Sequence, residues 1–349
     1  MLSQDCAVIQ GQYFRDLLAQ PAALRATVQW LAGPGRWRET ADFLVSRRWK
    51  RIVLTGMGAS FHALHPLNLR LIAAGHTPVL METSELVHHG RALFDEQTLI
   101  ILASQSGRSA ETLRLLDLNR VSPVMGITNT AESPLALRSD LLLQVQAGPE
   151  ATVSCKTYVS TLLTLQWLGA VAAGENEDST LQRLEPAAHL VQAYWGNWPV
   201  FTRALMGRLQ GKRHLFLAGR GESLAAAGTG ALIIKEAARF HAEGMSSAAF
   251  RHGPMEMLQQ QMLTVILQGD PSIASLNQQL RRDLEALDGQ CELIGEETDF
   301  EPLRLPRVEA VLRPVLEVLP MQMMSLALAA LGGHEAGRFL RASKVTATE

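Results

Sequence analysis

The sequence predicts an α/β protein made of two similar domains in tandem, each a parallel sheet covered by helices on both faces. Three observations carry this. Short apolar runs alternate with helical patterns through the first half of the chain, which is the mark of a sheet buried on both sides. The stretch RIVLTGMGAS (51–60) recurs as HLFLAGRGES (214–223), with Gly56, Gly58 and Ser60 matched by Gly219, Gly221 and Ser223 at an offset of 163 residues. A chain of 349 residues, 47% of them apolar, is long enough for two domains with sizeable cores.

Residues 1–45 read as a helical segment punctuated by Pro21, Gly33 and Pro34. The first domain is expected over 46–175. Its strands are RIVLTG (51–56), TPVLME (77–82), TLIILA (98–103), SPVMGIT (122–128) and LLLQVQ (141–146). Helical patterns run from Ser60 to about Ala74, through SELVHHG, through SAETLRLLDLNR (109–120), and through SPLALRSD (133–140), started by Ser-Pro. A long helix follows from about Cys155 to Ala173, and the polar GENEDST (174–180) ends the block. A helical linker is expected over 176–205, a second domain over 206–330 and a tail over 331–349. Applied to Ser104, the repeat offset lands on Leu267 in TVILQGDPS (264–272), where an apolar strand again runs into a polar glycine loop. The apolar VLPMQMMSLALAALGG (318–333) is short for a membrane span and contains Pro320 and Gln322, so it reads as a buried helix.

A net charge of −2 with mixed signs argues against a nucleic-acid or membrane-surface protein, because both need a concentrated positive face. No basic segment precedes an apolar run at the N-terminus, so no secretory signal is expected. Cys6, Cys155 and Cys291 are far apart and lack CxxC spacing, which fits a reducing cytoplasm better than a disulfide framework or structural zinc. His62, His65, His88, His89, His241 and His252 show no HExxH spacing, so no metal is expected. GxSxG is absent, which argues against a serine hydrolase.

SQSGRSAET (104–112) is the richest loop. It joins a strand to a helix whose first amides are unpaired and carry partial positive charge. Gly107 lets the backbone approach closely, and Ser104, Ser106 and Ser109 add hydroxyls. The loop therefore reads either as an anion cradle or as plain helix capping by Ser109. GMGAS (56–60) has two glycines of a dinucleotide turn, and Glu82 sits near a ribose-binding position. Phe61, however, replaces the third glycine that permits close packing, and the alternative is a tight turn with Ser60 as a helix cap. In the second domain Glu236 lies one helical turn from Leu232 and Ile233. A carboxylate in apolar surroundings suits a proton-shuttling base, and an exposed glutamate paired with Arg239 is the alternative. FRHGP (250–254) fixes His252 in a Gly-Pro turn, where a site histidine and a structural one both fit.

GMGAS, SQSGRSAET, the IIKE helix, HAEGMSS, RHGP and the C-terminal SKVTATE together resemble the tandem SIS (sugar isomerase) domain family, in particular the isomerase half of glutamine–fructose-6-phosphate aminotransferases. The resemblance runs in order from about residue 50 to the end. It implies two flavodoxin-like, doubly wound SIS domains, each with a five-stranded parallel sheet. It also implies a cytoplasmic phosphosugar isomerase, deaminase or deglycase that needs no cofactor. By resemblance, Ser60, Ser104, Gln105, Ser106 and Ser109 bind the sugar phosphate and Ser154, in VSCK, lines the sugar site. Glu236 is the base moving a proton between C1 and C2. His252 serves ring opening and comes from the neighbouring subunit of a homodimer, and Lys344 in the tail closing the site can form a Schiff base with the open ketose. With Leu2 after the initiator methionine and only about 45 residues before the first domain, no glutaminase domain, and so no use of glutamine, is expected.

Two positions depart from the family pattern. A lysine usually stands three residues before the catalytic glutamate, where this chain has Ile233, and an acid stands where it has Thr229. The lost lysine speaks against synthase-type isomerisation and leaves a deaminase, an aldose–ketose isomerase, a deglycase of fructosamine 6-phosphates or a non-catalytic sugar-phosphate sensor open. Arg108 occupies a loop position that is usually acidic, and reads as an extra anion contact or as a solvent-exposed side chain.

Overall fold

A computed structural model of the protein describes residues 9–46 and 49–348. Cys6 therefore lies outside the described residues, while Cys155 and Cys291 are buried thiols. The chain divides into two compact units. One takes the described residues of 22–150, 156–188 and 342–349, and the other takes those of 1–21, 151–155 and 189–341.

The N-terminal segment is helical: α1 (Gln12–Leu18), α2 (Gln20–Leu31) and α3 (Arg36–Ser46). The first unit then alternates β1 (Arg51–Gly56), α4 (Gly58–Ala73), β2 (Pro78–Glu82), α5 (Thr83–His89), β3 (Thr98–Ala103), α6 (Ala110–Leu118), β4 (Val124–Thr128), α7 (Pro134–Arg138), β5 (Leu141–Gln144) and α8 (Lys156–Ala172). Its five strands are all parallel in the order β2-β1-β3-β4-β5, a doubly wound order whose reversal point lies between β1 and β3. Every residue of β3 is buried, as the unbroken apolar run TLIILA demands. Ile100 and Leu102 join Val53, Leu86, Leu115 and Leu135 in one core cluster. α8 is buried on every face from Lys156 to Val171, polar side chains such as Thr157, Ser160 and Gln166 included. Trp37 of α3 packs edge-on against Trp167 of α8, with ring centroids 5.4 Å apart.

α9 (Glu177–Leu184), α10 (Ala187–Trp195) and α11 (Trp198–Leu209) continue the chain as helices. The second unit follows with β6 (His214–Gly219), α12 (Leu224–Ala238), β7 (His241–Ser246), α13 (Ser247–Arg251), β8 (Met262–Leu267), α14 (Pro271–Ala286), β9 (Cys291–Ile294) and α15 (Arg313–Leu331). Its parallel order, β7-β6-β8-β9, repeats the first sheet with four strands in place of the five expected. The fifth is reduced to a single bridge between Gly295 and Arg304. Pro302 and Pro306 flank that bridge and have no N–H to extend a ladder.

α15 contains residues 318–331 of the apolar stretch, with Gly332 as its C-cap, and is the described helix long and apolar enough to cross a membrane; 94% of its apolar window is buried inside the protein. Two of its polar side chains meet partners there: Gln20 Nε2 donates to Gln322 Oε1 at 2.9 Å, and the Tyr13 and Ser325 hydroxyls meet at 3.1 Å.

The repeat holds at β1 and β6, whose ends, Gly56 and Gly219, keep the 163-residue offset. It slips at the next strand. Leu267 is the last residue of β8, whereas Ser104 is the first beyond β3. The turn after β8 takes residues 268–270, against 104–109 after β3.

Candidate functional site

In the five-stranded unit the 104–109 turn opens at the sheet's reversal point. Gly56 and Ala103 are register partners, so the turns after β1 and β3 leave the sheet side by side. A Cβ on Gly56 would come within 2.9 Å of the Ala103 carbonyl, which explains this glycine without a nucleotide. Gly107 sits at φ +60°, and a Cβ there would lie 2.2 Å from Ser133 Oγ and 2.7 Å from Ser133 Cβ. Only glycine fits both the conformation and the space.

The serines already organise the turn. Ser104 Oγ accepts from Gly107 N at 3.2 Å, and Ser106 Oγ accepts from Arg108 N at 3.2 Å. Ser109 is the N-cap of α6; it accepts from Thr112 N at 3.4 Å and donates to Thr112 Oγ1 at 2.9 Å. Among the described residues, the Ser104 and Ser106 hydroxyl hydrogens have no protein acceptor, so they remain donors for a ligand. Gln105 is pinned by its carbonyl, which accepts from Asn129 N and from Thr128 Oγ1, both at 3.1 Å. Arg108 is exposed and donates to the Glu132 carbonyl at 3.3 Å. Ser60 is not a helix cap: Met57 is the N-cap of α4, and Ser60 lies within the first turn, half-buried, with its N–H on the Met57 carbonyl at 3.1 Å.

The tail returns to this same turn. The Thr346 carbonyl accepts from Ala110 N, the first amide of α6, at 3.0 Å. Lys344 Nζ lies 2.8 Å from Glu150 Oε2; the lysine side chain is 20% exposed and the glutamate side chain 0%. Glu150 also accepts from Thr157 N at 3.1 Å and Thr157 Oγ1 at 2.9 Å, at the start of α8. Sequence reasoning missed Glu150. The one available signal is an acid just before the helix that opens on Lys156.

The four-stranded unit carries the other expected residues. Glu236 is half-buried in the last turn of α12. That helix ends on Arg239 in the left-handed conformation, φ 51°, with its guanidinium donating to the Arg338 carbonyl at 2.9 Å. Thr229 (0% exposed) and Ile233 (1%) face the interior. The position where the family has a lysine is therefore a packing position here. His252 caps the C-terminus of α13, is exposed, and donates its N–H to the Ala249 carbonyl at 2.9 Å. Gly253, at φ +121°, and Pro254 make the turn after it. Ser154 is half-buried in the 151–155 segment that groups with this unit. Among the described residues, no three or more histidines, cysteines or acids are grouped as metal ligands.

The corresponding turns of the four-stranded unit are occupied from within. Ser223, the repeat of Ser60, donates to Glu317 Oε1 at 2.9 Å. Burial pushes the Glu317 carboxyl up to about 8. The turn after β8 supplies its own anion, Asp270, which caps α14. It accepts from Ser272 N at 2.9 Å and Ser272 Oγ at 2.6 Å and meets Arg313 at 3.1 Å. The Ser272 hydrogen bonds, with Arg313 behind them, hold the Asp270 carboxyl below the usual carboxylate range.

Residues 47–170 and 208–331 each match the SIS domain family. The chain is 30% identical over 340 residues to the glutamine–fructose-6-phosphate aminotransferase [isomerizing] of Thermococcus kodakarensis, an alignment covering 92% of this chain and 55% of that protein. It thus spans about half the length of the curated relatives it matches. Among solved structures, the C-terminal domain of glucosamine-fructose-6-phosphate aminotransferase from Francisella tularensis superposes with a TM-score of 0.83 at 21% identity, covering 94% of this chain and 98% of that one. The tagatose-6-phosphate ketose/aldose isomerase of Escherichia coli gives 0.82 at 20%, covering 95% and 96%. At these identities the two structures speak for the fold alone.

Proposed function

The chain belongs to the SIS domain family, and on that premise we propose that it is a phosphosugar-processing enzyme of the isomerase or deaminase type, acting on a ketose or amino-sugar 6-phosphate. The observation that carries this reading is the 104–109 turn. It offers Ser104 and Ser106 hydroxyl donors at a helix N-terminus, around a glycine that nothing else can replace. Ser60, Gln105 and Ser109 complete the phosphate contacts, and Ser154 lines the sugar.

In the proposed reaction His252, from the neighbouring subunit of a homodimer, assists opening of the sugar ring. The Glu236 carboxylate takes a proton from C1 of the open ketose and returns it to C2 while the O1 proton passes to O2, so that the carbonyl moves from C2 to C1. Before that step Lys344 can hold the open ketose as an imine at C2, formed with loss of water and returned to the ketose by water. The exposure of His252 within one chain suits a residue completed by a partner copy.

The buried Ile233 favours a second reading, a deglycase of fructosamine 6-phosphates, in which the same glutamate and histidine serve release of an amine. Incubation with glucosamine 6-phosphate, fructose 6-phosphate with and without ammonia, and fructosamine 6-phosphates tests both. Wild type should turn over at least one of them faster than Glu236→Gln. Equal rates for all of them would remove the catalytic reading, and tight sugar-phosphate binding without turnover would leave a sensor. Mixing inactive Glu236→Gln and His252→Ala homodimers should restore part of the activity if each site draws on two subunits.

A further inference from the structure

We infer that Glu150 is a positioning residue that anchors the tail lysine, Lys344, beside the serine turn; its consequence for turnover rests on the function proposed above. Glu150 is a carboxylate with no exposed side-chain surface. A buried charge is costly unless it is paired and its remaining lone pairs are satisfied. Both conditions are met: Thr157 gives two hydrogen bonds, and Lys344 brings a cation to 2.8 Å. Lys156, buried beside Thr157 in sequence, sends its Nζ to the Pro149 carbonyl, next to Glu150, at 2.6 Å.

The tail around Lys344 has no helix or strand of its own. Ala342, Ser343, Thr346, Ala347 and Thr348 are exposed, whereas Lys344 and Val345 are half-buried. Two polar attachments therefore fix it in the five-stranded unit. One is the Lys344–Glu150 pair. The other is the Thr346 carbonyl on the first amide of α6. The second attachment places the tail on the serine turn, and the first sets which way its lysine points. Losing the Glu150 charge leaves Lys344 on a strand of backbone held by one bond.

The full-length protein tests this with Glu150→Gln, Lys344→Ala, both together, and Thr157→Val. In Glu150→Gln, trypsin cleavage after Lys344 should rise about tenfold or more, the loss expected for a charged hydrogen bond. In Thr157→Val, which removes support from α8 but leaves the ion pair, it should stay within about twofold of wild type. The first two variants should each lower kcat, and the double variant should be no worse than Lys344→Ala, because both break one interaction. The inference is overturned by unchanged cleavage in Glu150→Gln, by equal release of the tail in Thr157→Val, or by kcat losses that multiply. If wild type turns over no sugar phosphate, the proposed function fails instead, and the cleavage ratios alone decide whether Glu150 holds the tail.

Discussion

In the five-stranded unit the turn from β3 to α6 takes six residues and presents serine hydroxyls to solvent; in the four-stranded unit the turn from β8 to α14 takes three and supplies its own carboxylate. Both answer the same demand, since a helix N-terminus with unpaired amides attracts negative charge. Asp270 meets it from within, and Glu317 likewise occupies the serine that repeats Ser60. Ser104, Ser106 and Ser109 organise the other turn without adding charge, and the tail's Thr346 carbonyl, a neutral acceptor, takes the first helix amide. One copy of the architecture is thus closed by its own carboxylate, and the other is held by neutral acceptors. Glu236 and His252 sit in the unit with the closed turn, so the proposed function assigns anchoring to one unit and chemistry to the other.

The sharpest way to break this division is Glu236→Gln. Turnover should fall by about 10²–10⁴, the span of general-base catalysis, while sugar-phosphate binding, read by calorimetry, stays near wild type. Comparable loss of binding would mean that the two roles are not separated.

Glu317 comes next. Its carboxyl sits at about 8 when folded, against an ordinary 4.5. Between those values the folded protein holds a proton that the unfolded chain releases, so stability falls as pH rises through that window, by at most about 1.4 kcal/mol per pH unit. Glu317→Gln keeps an acceptor for Ser223 and cannot ionise. Urea melts should show the variant close to wild type at pH 5 and more stable at pH 9.

Replacing Ser104 and Ser106 together by alanine should weaken sugar-phosphate binding by roughly 10–100-fold, the worth of one or two hydrogen bonds to a charged group, and lower the rate at saturation far less. Asp270→Ala is the matching change in the closed turn. It should leave that binding untouched and cost about 1 kcal/mol for the lost cap, a drop of a few degrees in Tm. Sugar-phosphate binding weakened by Asp270→Ala would refute the contrast between the turns.

Much of this was legible in the chain. TLIILA and RIVLTG are β3 and β1 to the residue, because apolar runs bounded by glycine or serine leave little choice. The Ser-Pro start of α7 also formed as read, with Ser133 capping and Pro134 first. HAEGMS showed no strand pattern, yet it is β7. An edge strand with its faces half-exposed need not alternate apolar and polar residues. The missing fifth strand hid behind the repeat: similarity of the two halves carried the count over, while Pro302 and Pro306 decided otherwise. The alternative of Ser60 as a cap rests on how often serine caps helices, but the turn closes three residues earlier at Met57. For Glu150 the local pattern shows only an acid ahead of a helix, since the lysine that explains it lies 194 residues away.

That distance also orders events during synthesis. Strands β1–β5 and helix α8 leave the ribosome early and can pack as soon as they emerge. The segment carrying Lys344 and Thr346, which belongs to the same unit, is made only after every strand of the other unit. The nascent protein therefore holds a formed sheet with an uncovered serine turn for as long as ribosomes take to add the intervening residues. Through that interval the 104–109 turn is without the lysine and the carbonyl that the tail brings to it.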